Sequence, residues 1–283
     1  MTMLQGKRIV ITGGSMGIGL AVAKCCAKEG ASLTIISRNE KDLAKVVSEL
    51  ECSKGQVHNY HRLDVSRSDD VKKCAQILDD KYNVIDGLVN CAGIYGPIGK
   101  IDDIDPEAFV STININFMGT FYMCHYFIPL LKKAKRSKIV NFSGGGAASP
   151  FPNYSAYASS KAAVVRFTEN IAQELIKDNI DVNAVAPGFV VTRLHQQTLS
   201  VGENAGKEFL SKTMDVLKDG GVPPEKAAEL IVFLMSSGSD GITGKFISAP
   251  WDNWKDESFS NKLRTDIDFA TLRRIDDKNF KRN

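Results

Sequence analysis

Along most of this 283-residue chain, short aliphatic and β-branched runs alternate with longer stretches of helical periodicity, and that alternation limits the fold more than any other feature. Strands are predicted at residues 8–12, 33–36, 57–63, 87–90, 138–142, 180–185 and 245–248. Helices are predicted between them at 18–29, 40–50, 68–82, 106–131, 154–177 and 224–235. Strands this continuously apolar are buried on both faces, so the sheet they form is parallel and covered by helices on each side. Right-handed crossovers then give a doubly wound, Rossmann-like α/β fold in which ligands collect at the carboxyl ends of the strands. Neither a Pro/Ser-rich linker nor an internal repeat divides the chain, which predicts one domain over residues 1–250. Residues 194–222 break the alternation, being polar and glycine-containing, and are expected to form a mobile lid. Residues 251–283 make a charge-dense C-terminal extension. In it Phe259, Leu263 and Ile267 recur every four residues, the spacing of one amphipathic helix docked on the body or on a second subunit.

Composition narrows the function classes. Lys and Arg total 36 against 33 Asp and Glu, and a net charge of +3 is too small for a nucleic-acid footprint. The cluster Lys132, Lys133, Lys135, Arg136 and Lys138 falls in a helix-to-strand connection and reads as a solvated loop. Six cysteines and four histidines are dispersed without metal-ligand spacing, so no metal is expected, and free thiols fit a reducing compartment. No apolar run is long enough to cross a bilayer, and the first strand begins too early to leave room for a signal peptide. The expectation is a soluble cytoplasmic protein with no nucleic-acid or membrane partner.

Thr12-Gly13-Gly14-Ser15-Met16-Gly17-Ile18-Gly19 joins the first strand to the first helix. Glycines there allow a tight turn and close approach of a pyrophosphate, held at the positive end of the helix dipole. Such a turn also serves as plain packing; its place in the first strand–helix unit favours a dinucleotide site. The end of the second strand refines that reading. NAD-selective sites put an acid there for the ribose hydroxyls, whereas this chain has Ser37-Arg38-Asn39. An uncharged residue followed by a forked guanidinium suits a 2′-phosphate, so NADP (as NADPH) is the preferred cofactor and NAD the alternative.

Tyr157-Ala158-Ser159-Ser160-Lys161 opens a predicted helix, and a spacing of four puts phenol and ammonium on one face. A phenol titrates near ~10 and is a poor base at neutral pH unless a fixed cation favours phenolate. Lys161 would supply that cation, and Tyr157 would then exchange a proton with a substrate alcohol or carbonyl.

Together these motifs resemble the short-chain dehydrogenase/reductase family, from about residue 7 to residue 248. Thr12 to Gly19 matches its T-G-x-x-x-G-x-G turn, and Asp64-Val65 the position that contacts adenine. Asn90-Cys91-Ala92-Gly93 is a variant of N-N-A-G, beside the nicotinamide ribose. Asn116-Phe117-Met118-Gly119 matches N-x-x-G, whose Asn holds a water of the proton relay behind the lysine. Pro187-Gly188-Phe189-Val190-Val191-Thr192 matches the P-G segment, where the threonine hydroxyl and the backbone near Val190 hold the carboxamide. The resemblance implies an oxidoreductase that moves hydride between nicotinamide and a ketone or secondary alcohol. In it Tyr157 is the acid/base, with Lys161 and Asn116 in support, and the assembly is a homodimer or homotetramer.

Two departures stand out. The family's catalytic Ser lies thirteen residues before the Tyr, and here that position is Gly144, with Ser143 one residue early. Strand side chains alternate, so this offset aims the Ser143 hydroxyl at the other face. A bulge in Gly144-Gly145-Gly146 would rotate Ser143 into a catalytic place, or backbone N–H groups would replace it. Past the last strand, Trp251 and Trp254 stand where the family often ends, as an anchor near the substrate mouth, a subunit contact, or plain docking of the tail. Two other readings remain: a sugar-modifying enzyme such as a nucleotide-sugar reductase or epimerase, and a dinucleotide-binding regulator with impaired chemistry, which Gly144 supports and Asn116, Tyr157 and Lys161 oppose.

Overall fold

Past Arg8, every residue of β1 (Arg8–Thr12) is buried, as a strand sandwiched between helical layers must be. The computed structural model, which describes residues 2–275, sets β1 where the strand order reverses. On one side lie β2 (Ser32–Ser37) and β3 (Asn59–Arg62). On the other lie β4 (Gly87–Asn90), β5 (Ser137–Phe142), β6 (Ile180–Ala186) and β7 (Phe246–Ser248). The seven strands are all parallel, in the order β3-β2-β1-β4-β5-β6-β7. The tips of β1 and β4 are therefore neighbours whose following segments leave in opposite directions, opening a crevice at the carboxyl edge.

Alternation along the strands divides the core in two. Ile9, Ile11, Leu33, Ile35 and Val140 face α1 (Gly17–Lys28), α2 (Glu40–Glu49) and α9 (Pro224–Met235). Val10, Ile36, Leu88, Ile139 and Val182 face α3 (Ser68–Tyr82), α5 (Gly119–Leu131) and the C-terminal half of α6 (Ser155–Glu174).

Three segments differ from expectation. The helix predicted over residues 106–131 is broken into α4 (Pro106–Ile113), one π-helical turn at Asn114–Met118, and α5. Residues 194–222 hold two helices, α7 (Arg193–Val201) and α8 (Lys207–Asp219). The tail forms α10 (Glu257–Thr265), which buries Leu263 and packs Phe259 on the α1/α9 core, but it stops before Ile267, which is exposed. Trp254 is buried and its indole N–H donates to Ala249 O, 3.1 Å away, whereas Trp251 is 75% exposed.

Of the basic cluster, Lys132, Lys133 and Lys135 are exposed as a solvated connection requires, but Lys138 is not. Lys138 lies within β5, 5% exposed, opposite Asp181 of β6. Its ammonium is 2.6 Å from Asp181 and 2.7 Å from Asp240, and Arg136 also pairs with Asp181. A buried ammonium needs such partners, because desolvation alone would expel it. All six cysteines are free thiols. Among the described residues no helix is long and apolar enough to cross a membrane.

Candidate active site

A groove of about 390 Å³ opens at the crevice between β1 and β4. Gly13, Ser15, Met16, Gly17, Ile18 and Gly19 form its floor. A Cβ on Gly19 would stand 2.3 Å from Gly13 O, so only glycine lets the first turn of α1 pack on the end of β1. Thr12 Oγ1 accepts the backbone N–H groups of Cys91 and Ala92 at 3.0 and 3.2 Å, fastening the tips of β1 and β4 to each other.

Ser37 and Arg38 line the far end, with Asp64 and Val65 beside them. Ser37 Oγ is buried with no hydrogen-bond partner, and among the described residues no carboxylate pairs with the exposed Arg38. Asp64 is tied to Ser66, accepting its N–H at 3.0 Å and its hydroxyl at 2.7 Å. Gly119 has no side chain because a Cβ would stand 2.7 Å from Val65 Cγ2, which gives the Gly of N-x-x-G a packing reason.

Ala92, Gly93 and Thr192 complete the opposite wall, with Cys91, Ile94, Ile115, Arg193 and Leu194, which were not anticipated. Asn90, Pro187, Gly188 and Val190 lie outside the lining. The Asn90 amide donates to Asn141 Oδ1 at 2.9 Å, across to the neighbouring strand, so its side chain supports the sheet. The Val190 N–H is engaged by Gly188 O at 3.1 Å.

Beyond the Gly93 end of the groove, α6 presents Tyr157 and Lys161, both buried. Lys161 Nζ lies 5.8 Å from the Tyr157 ring centre and donates to Phe142 O at 2.9 Å. Asn116, fully buried in the π turn, accepts from Ile94 N at 2.8 Å and donates to Ile94 O and Ser160 Oγ, each at 2.9 Å. This amide thus ties the β4 loop to α6. A Cβ on Gly93 would stand 3.2 Å from Asn116 Oδ1 and 3.3 Å from Lys161 Nζ, so the bare glycine leaves a gap bordered by both.

The β5 end offers Tyr157 no side-chain donor. Ser143 continues the sheet ladder to Val185 O at 2.9 Å, and its hydroxyl donates to Lys161 O at 3.3 Å, so it is not rotated into the missing serine's place. A Cβ on Gly144 would stand 2.2 Å from Tyr157 Oη, so the phenol occupies the space a side chain at 144 would need. Among the described residues nothing hydrogen-bonds Tyr157 Oη.

Electrostatics correct one expectation. Burial, with a contribution from Cys91, holds the Tyr157 phenol above its ordinary value. The same burial lowers Lys161 to about 8, and in this closed site its charge does not offset the desolvation of the phenol. Burial lifts the Cys91 thiol to about 12, with Lys161 pulling the other way.

The substrate side was the least legible part. Tyr95, two residues past Gly93, meets the Tyr157 ring edge-on at 4.8 Å, and its hydroxyl reaches His195 Nε2 of α7 at 3.2 Å. Phe151, Tyr154, Leu194, Phe209 and Leu210 pack around them. The one available signal was the position of Tyr95 in a loop at a strand's carboxyl end.

A glycine turn at the switch point, an orphaned hydroxyl at its ribose end and a buried Tyr/Lys pair at the other define a nicotinamide-dependent oxidoreductase fold. A family model for the short chain dehydrogenases matches residues 7–201, and the chain belongs to that family. It is 34% identical over 244 residues to a 3-oxoacyl-(acyl-carrier-protein) reductase, FabG, of Chlamydia pneumoniae, covering 86% of this chain and 94% of the relative. Among solved structures it superposes on a short chain dehydrogenase of Escherichia coli CFT073 complexed with NADPH, with a TM-score of 0.78, 25% identity and 88% and 98% of the two chains covered. An NAD+-bound xylitol dehydrogenase shares the fold, with a TM-score of 0.80, 24% identity and coverage of 87% and 98%. The chain is thus an NAD(P)-dependent dehydrogenase/reductase acting on small molecules.

Proposed function

We propose that the protein is an NADP-dependent reductase of a ketone, running in reverse on the secondary alcohol, with Tyr157 as its acid/base. The observation that carries this reading is the Tyr157 hydroxyl, unengaged among the described residues, on a ring whose centre lies 5.8 Å from the Lys161 ammonium, past the Gly93 end of the groove. When bound, the nicotinamide supplies or accepts the hydride. Gly13 to Gly19 would hold the pyrophosphate on the α1 N-terminus, and Thr192 lies where the carboxamide would reach. Ser37 Oγ would find its missing partner in the adenosine ribose, and Arg38, with no carboxylate partner among the described residues, would take the 2′-phosphate.

Tyr157 donates its proton to the oxygen of the carbonyl being reduced. Lys161 stabilises the phenolate left behind, and the gap beneath Gly93, between Lys161 Nζ and Asn116, is the route by which a water returns the proton. Residues 194–222 form the lid of this site.

NADPH oxidation against a panel of ketones tests the reading. Tyr157→Phe is expected to abolish turnover while the affinity for NADPH stays within about threefold, and undiminished turnover would remove the assignment. Arg38→Ala is expected to weaken NADPH binding by about tenfold or more, as loss of a charge-assisted pair does, and to leave NADH nearly unchanged. An equal loss for both cofactors would end the case for the 2′-phosphate.

A further inference from the structure

The groups facing Tyr157 include one phenol whose proton is unspent. Tyr95 is 5% exposed, and its single hydrogen bond among the described residues is the 3.2 Å contact to His195 Nε2. The direction of that bond follows from the other side of the imidazole. His195 Nδ1 lies 3.3 Å from the backbone N of Thr192, and a backbone amide can only donate, so Nδ1 is the unprotonated acceptor. Burial drives the imidazole down to about 4, which keeps it neutral, and the ring proton is on Nε2. His195 is therefore the donor, Tyr95 Oη the acceptor, and the Tyr95 proton has no acceptor among the described residues.

The ring carrying that proton stands edge-on against Tyr157 at 4.8 Å. Tyr157 Oη is also unpartnered. Two phenols, neither of whose O–H protons has an acceptor among the described residues, thus stand ring against ring in the cluster beyond the Gly93 end of the groove. The β5 tip contributes no side-chain donor there, because the Ser143 hydroxyl is taken by Lys161 O and Gly144 has no side chain. An O–H proton that no protein group accepts is available to an oxygen that arrives there.

We propose that Tyr95 is a catalytic residue that holds and polarises the substrate carbonyl by donating a second hydrogen bond to the oxygen that Tyr157 protonates, and that His195 is its positioning residue. This rests on the carbonyl-reductase reading above. During reduction the carbonyl carbon gains the hydride and the oxygen gains the Tyr157 proton; Tyr95 keeps its own proton and only shares it. His195, stacked on Phe189 at 4.1 Å and held by Thr192, fixes the orientation in which the Tyr95 proton points at the substrate.

The test is steady-state kinetics of the full-length protein with NADPH and a ketone that the wild type reduces. Tyr95→Phe keeps the ring and its packing and removes the hydroxyl. It is expected to lower kcat by 10²–10³-fold, the usual loss for one such donor, with NADPH affinity unchanged. His195→Ala is expected to lower kcat at least tenfold, and His195→Gln, which retains an N–H donor, to recover most of it. A Tyr95→Phe kcat within threefold of wild type overturns the proposal, as does a His195→Gln enzyme no better than His195→Ala. Failure of this inference is distinct from failure of the functional reading, since the latter appears as a wild type that reduces no ketone or is indifferent to Tyr157→Phe.

Discussion

Lys161 shows what the site costs at the scale of one residue. Desolvation pulls its ammonium from the ordinary 10.5 to about 8, so the folded protein resists a proton that the unfolded chain takes readily. That shift corresponds to roughly 3 kcal/mol withheld below pH 8, and the deficit closes as pH climbs from about 8 toward 10.5, where the unfolded side chain also loses its proton. Lys161→Met is therefore expected to be inactive but more stable than wild type in urea by about 1–3 kcal/mol at pH 7, allowing for the lost bond to Phe142 O. By pH 10 the difference should largely vanish, and a variant equally or less stable at pH 7 would contradict it. Tyr157, Lys161 and Asn116 were legible in the sequence because each sits in a short local pattern. Tyr95 and His195 were not, because their bond joins positions 100 residues apart and neither belongs to a recognisable string. Ser143 was legible only as an ambiguity; its hydrogen bond to Lys161 O depends on where α6 packs, which no spacing along β5 encodes.

Elements with a strong apolar period were read with ends close to those observed, as α3 and α9 illustrate. The π turn was not, since this stretch is apolar on several faces and a one-residue shift of phase does not stand out in it. Its cause is tertiary: the Asn116 amide is drawn to Ile94 N and O, and the helix accommodates by widening one turn. The helices α7 and α8 escaped detection because they bury so little; only His195 and Thr198 of α7 and Thr213 of α8 are fully buried. Polar bonds hold α7 instead: His195 to Tyr95, Gln197 Nε2 to Gly96 O at 2.7 Å, and Thr198 Oγ1 with Tyr154 Oη at 2.9 Å. Bonds of this kind contribute about 0.5–1.5 kcal/mol each in exchange with water. Lys138 was misread for a related reason. Its partner Asp181 is its neighbour across the sheet, far away in sequence, and a run of five basic residues conceals which one lies inside.

Over the whole molecule, the described residues past β7 are anchored to the body at two points. Lys245, 4% exposed, donates to the carbonyl oxygens of Asp266, Ile267 and Phe269 at 2.6, 3.2 and 3.0 Å, wrapping the segment after α10 around one ammonium. Glu169 of α6 makes the second anchor, accepting Leu272 N at 2.8 Å and Arg273 Nη1 at 3.2 Å. Lys245→Met leaves three carbonyls without their donor and is expected to cost about 1–3 kcal/mol and to expose residues 264–274 to trypsin in limited proteolysis. Unchanged stability and an unchanged digest would show that apolar packing alone retains the tail. The sequence displayed the helix of this region through its four-residue period, but not the crown of carbonyls, because a lone lysine beside a strand carries no sign of its acceptors.

That crown has a consequence for synthesis. Until the stretch beyond Thr265 has left the ribosome, Lys245, immediately before β7, would have to enter the interior as a bare cation. Final closure of the sheet's last edge is thus coupled to late-emerging residues, and a nascent polypeptide cut short before them would remain recognisably unfinished to a protease.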